Sequence, residues 1–186
     1  MRLFIAIEIP EWAKRQLIQL QDSNLGVRWS SPGTMHLTLR FIGNVDDPGQ
    51  KEKLVQKLSS VQVPAFELTL KGLGYFPPQK HPKVLWAGVK ENDTLLNLQE
   101  QVEQLCVEAG FKPDDRPYTP HVTIGRVKGA SKKEVNSFIK QHKKFRVEAF
   151  EVDEFILFES KLDSEGVRHS PLQRFGLTSQ PTKHEA

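Results

Sequence analysis

The sequence of 186 residues contains a single cysteine and no apolar run long enough to cross a membrane. One cysteine, Cys106, excludes a disulfide within the chain and is typical of a reducing compartment, so we expect a cytoplasmic protein. The first apolar run, residues 3–9, is interrupted by Glu8 and is far shorter than the roughly 20 residues of a membrane span. No small-residue cleavage site follows it, which argues against a signal peptide, and we expect no membrane partner.

A second absence concerns nucleotide-dependent chemistry. The sequence contains no GxxxxGK(S/T) loop, the phosphate-binding motif of many nucleotide-dependent enzymes, and we expect no cofactor. Apolar content of 38% and charged content of 26% are ordinary for a soluble protein. The length allows one domain with a hydrophobic core, and we expect a monomer.

One tripeptide pattern occurs twice, as His36-Leu37-Thr38 and as His121-Val122-Thr123. Shuffled chains of this composition would carry two His-x-Thr triplets in roughly 3% of cases, and matching apolar neighbours make coincidence rarer still. Each triplet lies in a short apolar run that alternates as a β-strand does. The duplication therefore indicates a repeated functional element.

Strand alternation predicts which of these side chains share a face. Successive side chains of a strand point to opposite sides, so His36, Thr38 and Arg40 are expected together on one face. His121 and Thr123 are expected on the equivalent face of the second strand. Each triplet thus presents an imidazole beside a hydroxyl.

The elements around the two triplets also correspond, and the predicted order in each half is strand, helix, triplet strand, helix, strand. The predicted elements are residues 2–9, 11–21, 36–42, 48–60 and 66–76 in the first half, and 84–89, 94–109, 121–125, 131–142 and 147–158 in the second. We expect one domain over residues 1–177, with a repeat of about 1–77 and 83–160. A hairpin with its turn at 163–166 closes the domain, and residues 178–186 are expected to form a disordered tail.

The predicted fold class is α+β. Two lobes related by an approximate two-fold axis, each a mainly antiparallel sheet with flanking helices, would surround a central groove. Such symmetry would bring the two triplet strands to equivalent positions facing that groove, around one substrate.

The residue types in the triplets favour proton transfer on a phosphate. Imidazole is well matched to proton transfer near neutral pH, and two imidazoles supply both a base and an acid. The hydroxyls of Thr38 and Thr123 can donate to non-bridging phosphate oxygens, and Arg40 or Arg126 can add a charge-assisted contact. Arg126 has the strand parity of its apolar neighbours, so its role requires a bulge at Gly125.

The two triplets thus supply a base, an acid and anion donors, but no nucleophilic serine or cysteine. This combination predicts that water attacks a phosphodiester. Cys106 lies between apolar helix positions and is expected to pack there. The alternatives are that the histidines are structural or that they bind zinc, but no cysteine or carboxylate lies at a coordinating spacing near either triplet. We therefore expect no metal.

Five segments in order carry a resemblance to a known family. They are residues 2–7 (RLFIAI), 36–43 (HLTLRFIG), 84–89 (VLWAGV), 120–126 (PHVTIGR) and 159–162 (ESKL). Together they resemble the two-histidine (2H) phosphoesterases, and specifically the RNA 2′,3′-cyclic phosphodiesterase branch, historically called 2′-5′ RNA ligases. The resemblance extends over about residues 2–177.

The resemblance implies a bilobal α+β enzyme that opens a terminal 2′,3′-cyclic phosphate on RNA, or on an oligonucleotide, to a 2′-phosphomonoester without a metal. By motif match, the family's catalytic histidines fall on His36 and His121, and its phosphate-binding residues on Thr38, Thr123 and Arg126. One departure is visible, because His169 stands where relatives often have tyrosine. It casts doubt on a base-contacting role for that hairpin and leaves the chemistry unaffected.

Two other functions stay open. One is joining of RNA ends through a 2′-5′ linkage. The other is a non-catalytic RNA-binding module that uses residues 126–146, a stretch that contains eight lysines and arginines and only one acidic residue, a glutamate. A lysine-rich, solvated helix face is the alternative interpretation of that basic stretch.

Overall fold

A computed structural model describes residues 1–179. The strands are β1 (Arg2–Glu8), β2 (Val27–Trp29), β3 (His36–Asn44), β4 (Phe66–Phe76), β5 (Val84–Val89), β6 (His121–Val127), β7 (Arg146–Val152), β8 (Glu154–Asp163) and β9 (Gly166–Gly176). The helices are α1 (Glu11–Ile18), α2 (Pro48–Leu58), α3 (Asp93–Glu108) and α4 (Lys132–Gln141), and Pro32–Thr34 forms a short 3₁₀ turn.

The strands form one antiparallel sheet in the order β7-β4-β5-β6-β3-β1-β8-β9, with β2 added alongside β6. The two triplet strands, β6 and β3, are neighbours at its centre. Outward from this junction, β5, β4 and β7 on one side correspond to β1, β8 and β9 on the other. This symmetric order confirms the predicted α+β fold with two related lobes.

The last strand of each sequence half lies in the opposite lobe. Strand β4 follows α2 in the first half but pairs with β5 and β7, and β8 pairs with β1. The two halves are therefore interlocked through the sheet. The proposed domain and repeat boundaries stay a prediction.

The two faces of the sheet differ. One face, the helix face, carries Leu3, Ile5 and Ile7 of β1 into the main core, where helix residues such as Leu54 and Leu98 cover them. The opposite face, called the open face below, carries a smaller buried cluster of Phe4, Ala6, Ile156 and Phe158. Alternation along β1 separates the two sets.

Two local predictions need correction. The strand predicted over residues 147–158 is two strands, β7 and β8, separated at Asp153. Thr178, expected in a disordered tail, is hydrogen-bonded through its amide to Val63 O at 2.9 Å and accepts from the Ala65 amide at 2.8 Å. The predicted tail residues 180–186 lie outside the described residues. Among residues 1–179, no helix has the length and apolar character needed to cross a membrane.

Candidate active site

The two His-x-Thr triplets meet at the centre of the sheet. Strands β3 and β6 are antiparallel, with Leu37 paired to Val122, and both of these side chains are fully buried on the helix face. The flanking histidines and threonines therefore belong to the open face, and each histidine lies across from the threonine of the other triplet. In such a ladder, diagonal neighbours are about 7–8 Å apart, which leaves room for a phosphate between the two imidazoles.

Each triplet strand contains a bulge immediately after its threonine. Against β1, Ala6 pairs with Thr38 but Ile5 pairs with Arg40, so Leu39 is the extra residue. Against β5, Trp86 pairs with Thr123 but Leu85 pairs with Gly125, so Ile124 is extra. Because a bulge inserts one residue, strand alternation reverses beyond it.

The bulge in β6 turns Arg126 toward the open face. Arg126 pairs with Val84, which has the same strand parity as the Trp86 partner of Thr123. The bulge that a site role for Arg126 requires is therefore present. Gly125 is needed there, because a Cβ at this position would lie 2.5 Å from the Val27 side chain of β2.

The equivalent bulge in β3 turns Arg40 away from the triplets, so the prediction that Arg40 shares a face with His36 and Thr38 is wrong. Arg40 is buried on the helix face, with Nη1 2.8 Å from Glu103 Oε2 and Nη2 donating to the carbonyl oxygen of Lys112. These partners leave Arg40 engaged in the core. A phosphate on the open face would lie on the other side of the sheet.

Phe41 takes the open-face position that sequence alternation assigned to Arg40. The residue is 58% exposed, and its ring lies 6.1 Å from that of Phe4. When the segments HLTLRF and HVTIGR are aligned, Phe41 occupies the position equivalent to Arg126. That alignment is the sequence signal that would have found it.

His36 is enclosed by aromatic rings. Its ring centroid lies 5.8 Å from Phe4 and 4.7 Å from Phe158, and only 8% of the residue is exposed. Burial, helped by the charges of His169 and Lys14, lowers the pKa of His36 from 6.5 to about 4. The imidazole is therefore neutral at neutral pH in the free protein.

His121 has its Nδ1 2.7 Å from the carbonyl oxygen of Thr119. A carbonyl only accepts, so Nδ1 carries the proton and the neutral ring keeps its lone pair on Nε2. The ring packs edge-on against Phe76 at 4.8 Å, and burial lowers the pKa of His121. This histidine is thus oriented as a proton acceptor.

The lowered pKa of His36 predicts acid sensitivity of the fold. Between pH 6.5 and about 4, the unfolded chain binds a proton at this residue that the folded chain does not. Its contribution to the free energy of unfolding is complete above pH 6.5 and falls, by roughly 3 kcal/mol at most, as the pH drops toward 4. We expect His36→Gln to flatten the pH dependence of urea-unfolding free energy across this window. Exposed His81→Gln is the control, and equal slopes in wild type and His36→Gln would contradict the assignment.

The remaining candidates divide clearly. Cys106 is fully buried, and burial raises the pKa of its thiol to about 12, which suits packing and not nucleophilic attack. Thr38 and Thr123 are half-buried on the open face. Over residues 1–179, no three His, Cys, Asp or Glu side chains are grouped so as to hold a metal ion.

Three of the eight lysines and arginines of the basic stretch lie on α4. Lys132, Lys133 and Lys140 line an open surface depression of about 530 Å³ together with Asn136 and Ser137. Lys132 Nζ also donates to the carbonyl oxygen of Gln79 at 3.1 Å, in the loop that follows β4. The patch is therefore an exposed surface. Whether it contacts RNA stays a prediction.

The chain is similar to known proteins over most of its length. A family model described as the 2′-5′ RNA ligase superfamily matches residues 12–163. The RNA 2′,3′-cyclic phosphodiesterase of Aquifex aeolicus is 32% identical over 174 residues, which cover 91% of this chain and 90% of that protein. The protein of the same name from Methanocaldococcus jannaschii is 33% identical over 169 residues, covering 89% and 95%.

Solved structures show the same fold. Escherichia coli LigT in its apo form matches with a TM-score of 0.78 at 25% identity, covering 96% of this chain and 98% of its own. TT0787 of Thermus thermophilus matches with a TM-score of 0.77 at 26% identity, covering 97% and 100%. The likeness thus extends over nearly the whole of each chain.

Proposed function

The chain belongs to the 2′-5′ RNA ligase superfamily, the 2H phosphoesterases, and from this we propose that it hydrolyses the terminal 2′,3′-cyclic phosphate of RNA to a 2′-phosphomonoester. The curated relatives it matches are named RNA 2′,3′-cyclic phosphodiesterase. The observation that carries the proposal is the Leu37–Val122 register, which sets two imidazoles diagonally across one face with a threonine beside each. Acid and base on opposite sides of a phosphorus suit in-line displacement.

In the proposed reaction, Nε2 of His121 takes a proton from water as the water oxygen forms a bond to phosphorus. The bond from phosphorus to the 3′ oxygen breaks, and protonated His36 delivers its Nε2 proton to that oxygen. One water is consumed, and proton exchange with solvent resets both rings. His121 is assigned as the base because the Thr119 carbonyl holds the proton on its Nδ1 and leaves the Nε2 lone pair free, and His36 is then the acid.

The other open-face groups match the charge that develops on the phosphate. Hydroxyls of Thr38 and Thr123, one from each strand, would donate to the two non-bridging oxygens. Arg126 would add a charge-assisted contact from the exposed end of the bulge. Arg40 has no place in this set, because it is buried against Glu103.

Features beyond the phosphate suit an RNA end. The exposed ring of Phe41 offers a flat surface beside Phe4, and base stacking on such a ring is worth about 1–3 kcal/mol. The lysines of α4 would favour the upstream backbone through charge. Substrate recognition and chemistry would thus use separate groups.

The proposal is tested with a 2′,3′-cyclic mononucleotide and a short oligonucleotide carrying the same end, each in excess chelator. We expect continued turnover, because two imidazoles already supply acid and base, with the 2′-phosphomonoester as the product identified by ³¹P NMR. Activity lost in chelator and restored by zinc or manganese would refute metal independence.

The same assay separates the alternatives. Adding RNA with a 5′-hydroxyl tests joining, because that hydroxyl would replace water as the attacking group and yield a longer product with a 2′-5′ linkage. Tight RNA binding with zero turnover would favour a binding module. The family name alone supports joining, whereas hydrolysis also has the relatives' printed names.

A further inference from the structure

A third histidine, His169, reaches His36 from strand β9. The two Nδ1 atoms lie 3.3 Å apart, and the ring centroids are 5.0 Å apart. Phe4 packs edge-on against both rings, at 5.8 Å from His36 and 4.7 Å from His169. His169 is therefore held in a packed cluster beside the proposed acid.

A hydrogen bond between two Nδ1 atoms requires a proton on one of them and a lone pair on the other. The backbone of Thr34 also hydrogen-bonds the His36 ring and raises its pKa, as Thr119 does for His121. A contact that raises the pKa of a histidine comes from an acceptor. By equivalence with His121, the Nδ1 proton belongs to His36 and lies toward the Thr34 carbonyl, and His169 Nδ1, 3.3 Å away, is a second acceptor for the same proton.

We propose that neutral His169 is a positioning residue, whose Nδ1 accepts a hydrogen bond from His36 and leaves Nε2 of His36 as the nitrogen that exchanges its proton with the substrate. This inference rests on the proposed acid role of His36. When His36 is protonated, the neutral acceptor stabilises the imidazolium. A protonated His169 has no lone pair at Nδ1, so the contact is lost.

Other charges around His36 come from two neighbouring elements. Lys14 of α1 disfavours protonation of His36 through its charge. Glu8 of β1 lies across from His36 in the ladder, but it also lies 3.5 Å from Arg174 of β9. Neither is in the contact between the two imidazoles, so substitutions at His169 isolate that contact.

Two substitutions at His169 separate the acceptor from the ring. His169→Phe keeps an aromatic ring against Phe4 and removes the acceptor, whereas His169→Asn supplies an oxygen near the position of Nδ1 without titrating. We expect His169→Phe to lower kcat on a 2′,3′-cyclic mononucleotide by about 10- to 100-fold with little change in KM. His169→Asn should restore most of that loss. The same two substitutions at exposed His81 are matched controls and should leave kcat unchanged.

A readout that needs no turnover tests the same contact. In the full chain, ¹⁵N shifts of the His36 imidazole should report a proton on Nδ1 in wild type and His169→Asn, and a larger share of the Nε2–H tautomer in His169→Phe, in which the Thr34 carbonyl is the remaining acceptor. Wild-type kcat in His169→Phe, no rescue by His169→Asn, or a His36 tautomer unchanged by His169→Phe would overturn the proposal. If the wild type shows no turnover, the proposed function fails, and the tautomer measurement still decides the role of His169.

Discussion

Replacing His36 or His121 with asparagine is expected to lower kcat/KM on a 2′,3′-cyclic mononucleotide by about 10²- to 10⁴-fold, the usual range for losing a general acid or base. Asparagine retains a side-chain amide, which at residue 121 can still donate to the Thr119 carbonyl that now accepts from Nδ1. The substitution therefore removes proton transfer while keeping a local hydrogen bond. Unfolding transitions measured in parallel show that each variant is folded.

The pH profile of the wild type should carry the signature of both groups. In the free protein the pKa of His36 is lowered to about 4 and that of His121 is also lowered, so the kcat/KM bell should lie on the acid side of neutrality. A bound phosphodiester anion favours both imidazolium forms, so the kcat bell should lie at higher pH. Each asparagine variant should lose one limb of the bell.

Exposed His81→Asn is the matched control and should retain full activity. Near-wild-type turnover of folded His36→Asn or His121→Asn would end the two-histidine mechanism. If both variants lose activity but the remaining pH profiles keep two limbs, another group supplies the acid or base. In that case, identifying the product by ³¹P NMR still tests which reaction is catalysed, but not which residues transfer the protons.

The duplicated triplets are the part of the site that the sequence predicted best. Strand alternation separated Leu37 and Val122 from the histidines and threonines, and both are fully buried on the helix face. The same alternation placed His36 and Thr38 together, which the pairing with β1 bears out up to Thr38. Local periodicity is sufficient here because no bulge lies within either triplet.

Alternation failed one residue further along, where the bulge at Leu39 reverses the faces of Arg40 and Phe41. In β6 a glycine, Gly125, directly follows the extra residue Ile124 and marks the bulge, but the equivalent position in β3 is Arg40, which carries no such signal. Aligning the two repeats would have transferred the bulge from one strand to the other. A repeat therefore holds information that single-strand periodicity misses.

Long-range pairings were the other limit. His169 contacts His36 across 133 positions of sequence, and the exchange of β4 and β8 between lobes depends on which strand edges are free in the folded sheet. Neither is encoded in a local pattern. The difference between His169 and the tyrosine that relatives often have there marked this position as unusual. It did not predict that His169 contacts His36.

The buried position of Arg40 leads to the largest expected effect on stability. Its guanidinium is 2.8 Å from Glu103 Oε2, and Glu103 Oε1 also accepts from the Asp114 amide at 2.8 Å. Arg40→Met would leave a largely buried carboxylate without its cation, and such losses cost about 3–5 kcal/mol. We expect a decrease of about 3 kcal/mol in the free energy of unfolding, because the Glu103 side chain keeps 22% exposure.

A double-mutant cycle with Glu103→Gln separates charge from packing, because glutamine keeps an oxygen for the Asp114 amide and removes the charge. Arg40→Met combined with Glu103→Gln should be more stable than Arg40→Met alone, with a coupling of about 1–3 kcal/mol. Arg116→Met is the control: Arg116 is 80% exposed and paired with Asp114, so its loss should cost no more than about 1 kcal/mol.

Well below the unfolding transition, Arg40→Met should keep turnover close to wild type, because Arg40 lies on the helix face. Additive effects of the two substitutions on the free energy of unfolding would mean that Arg40 and Glu103 are not energetically coupled. A loss of kcat/KM in Arg40→Met as large as that in His36→Asn would show that Arg40 contributes to the phosphate site.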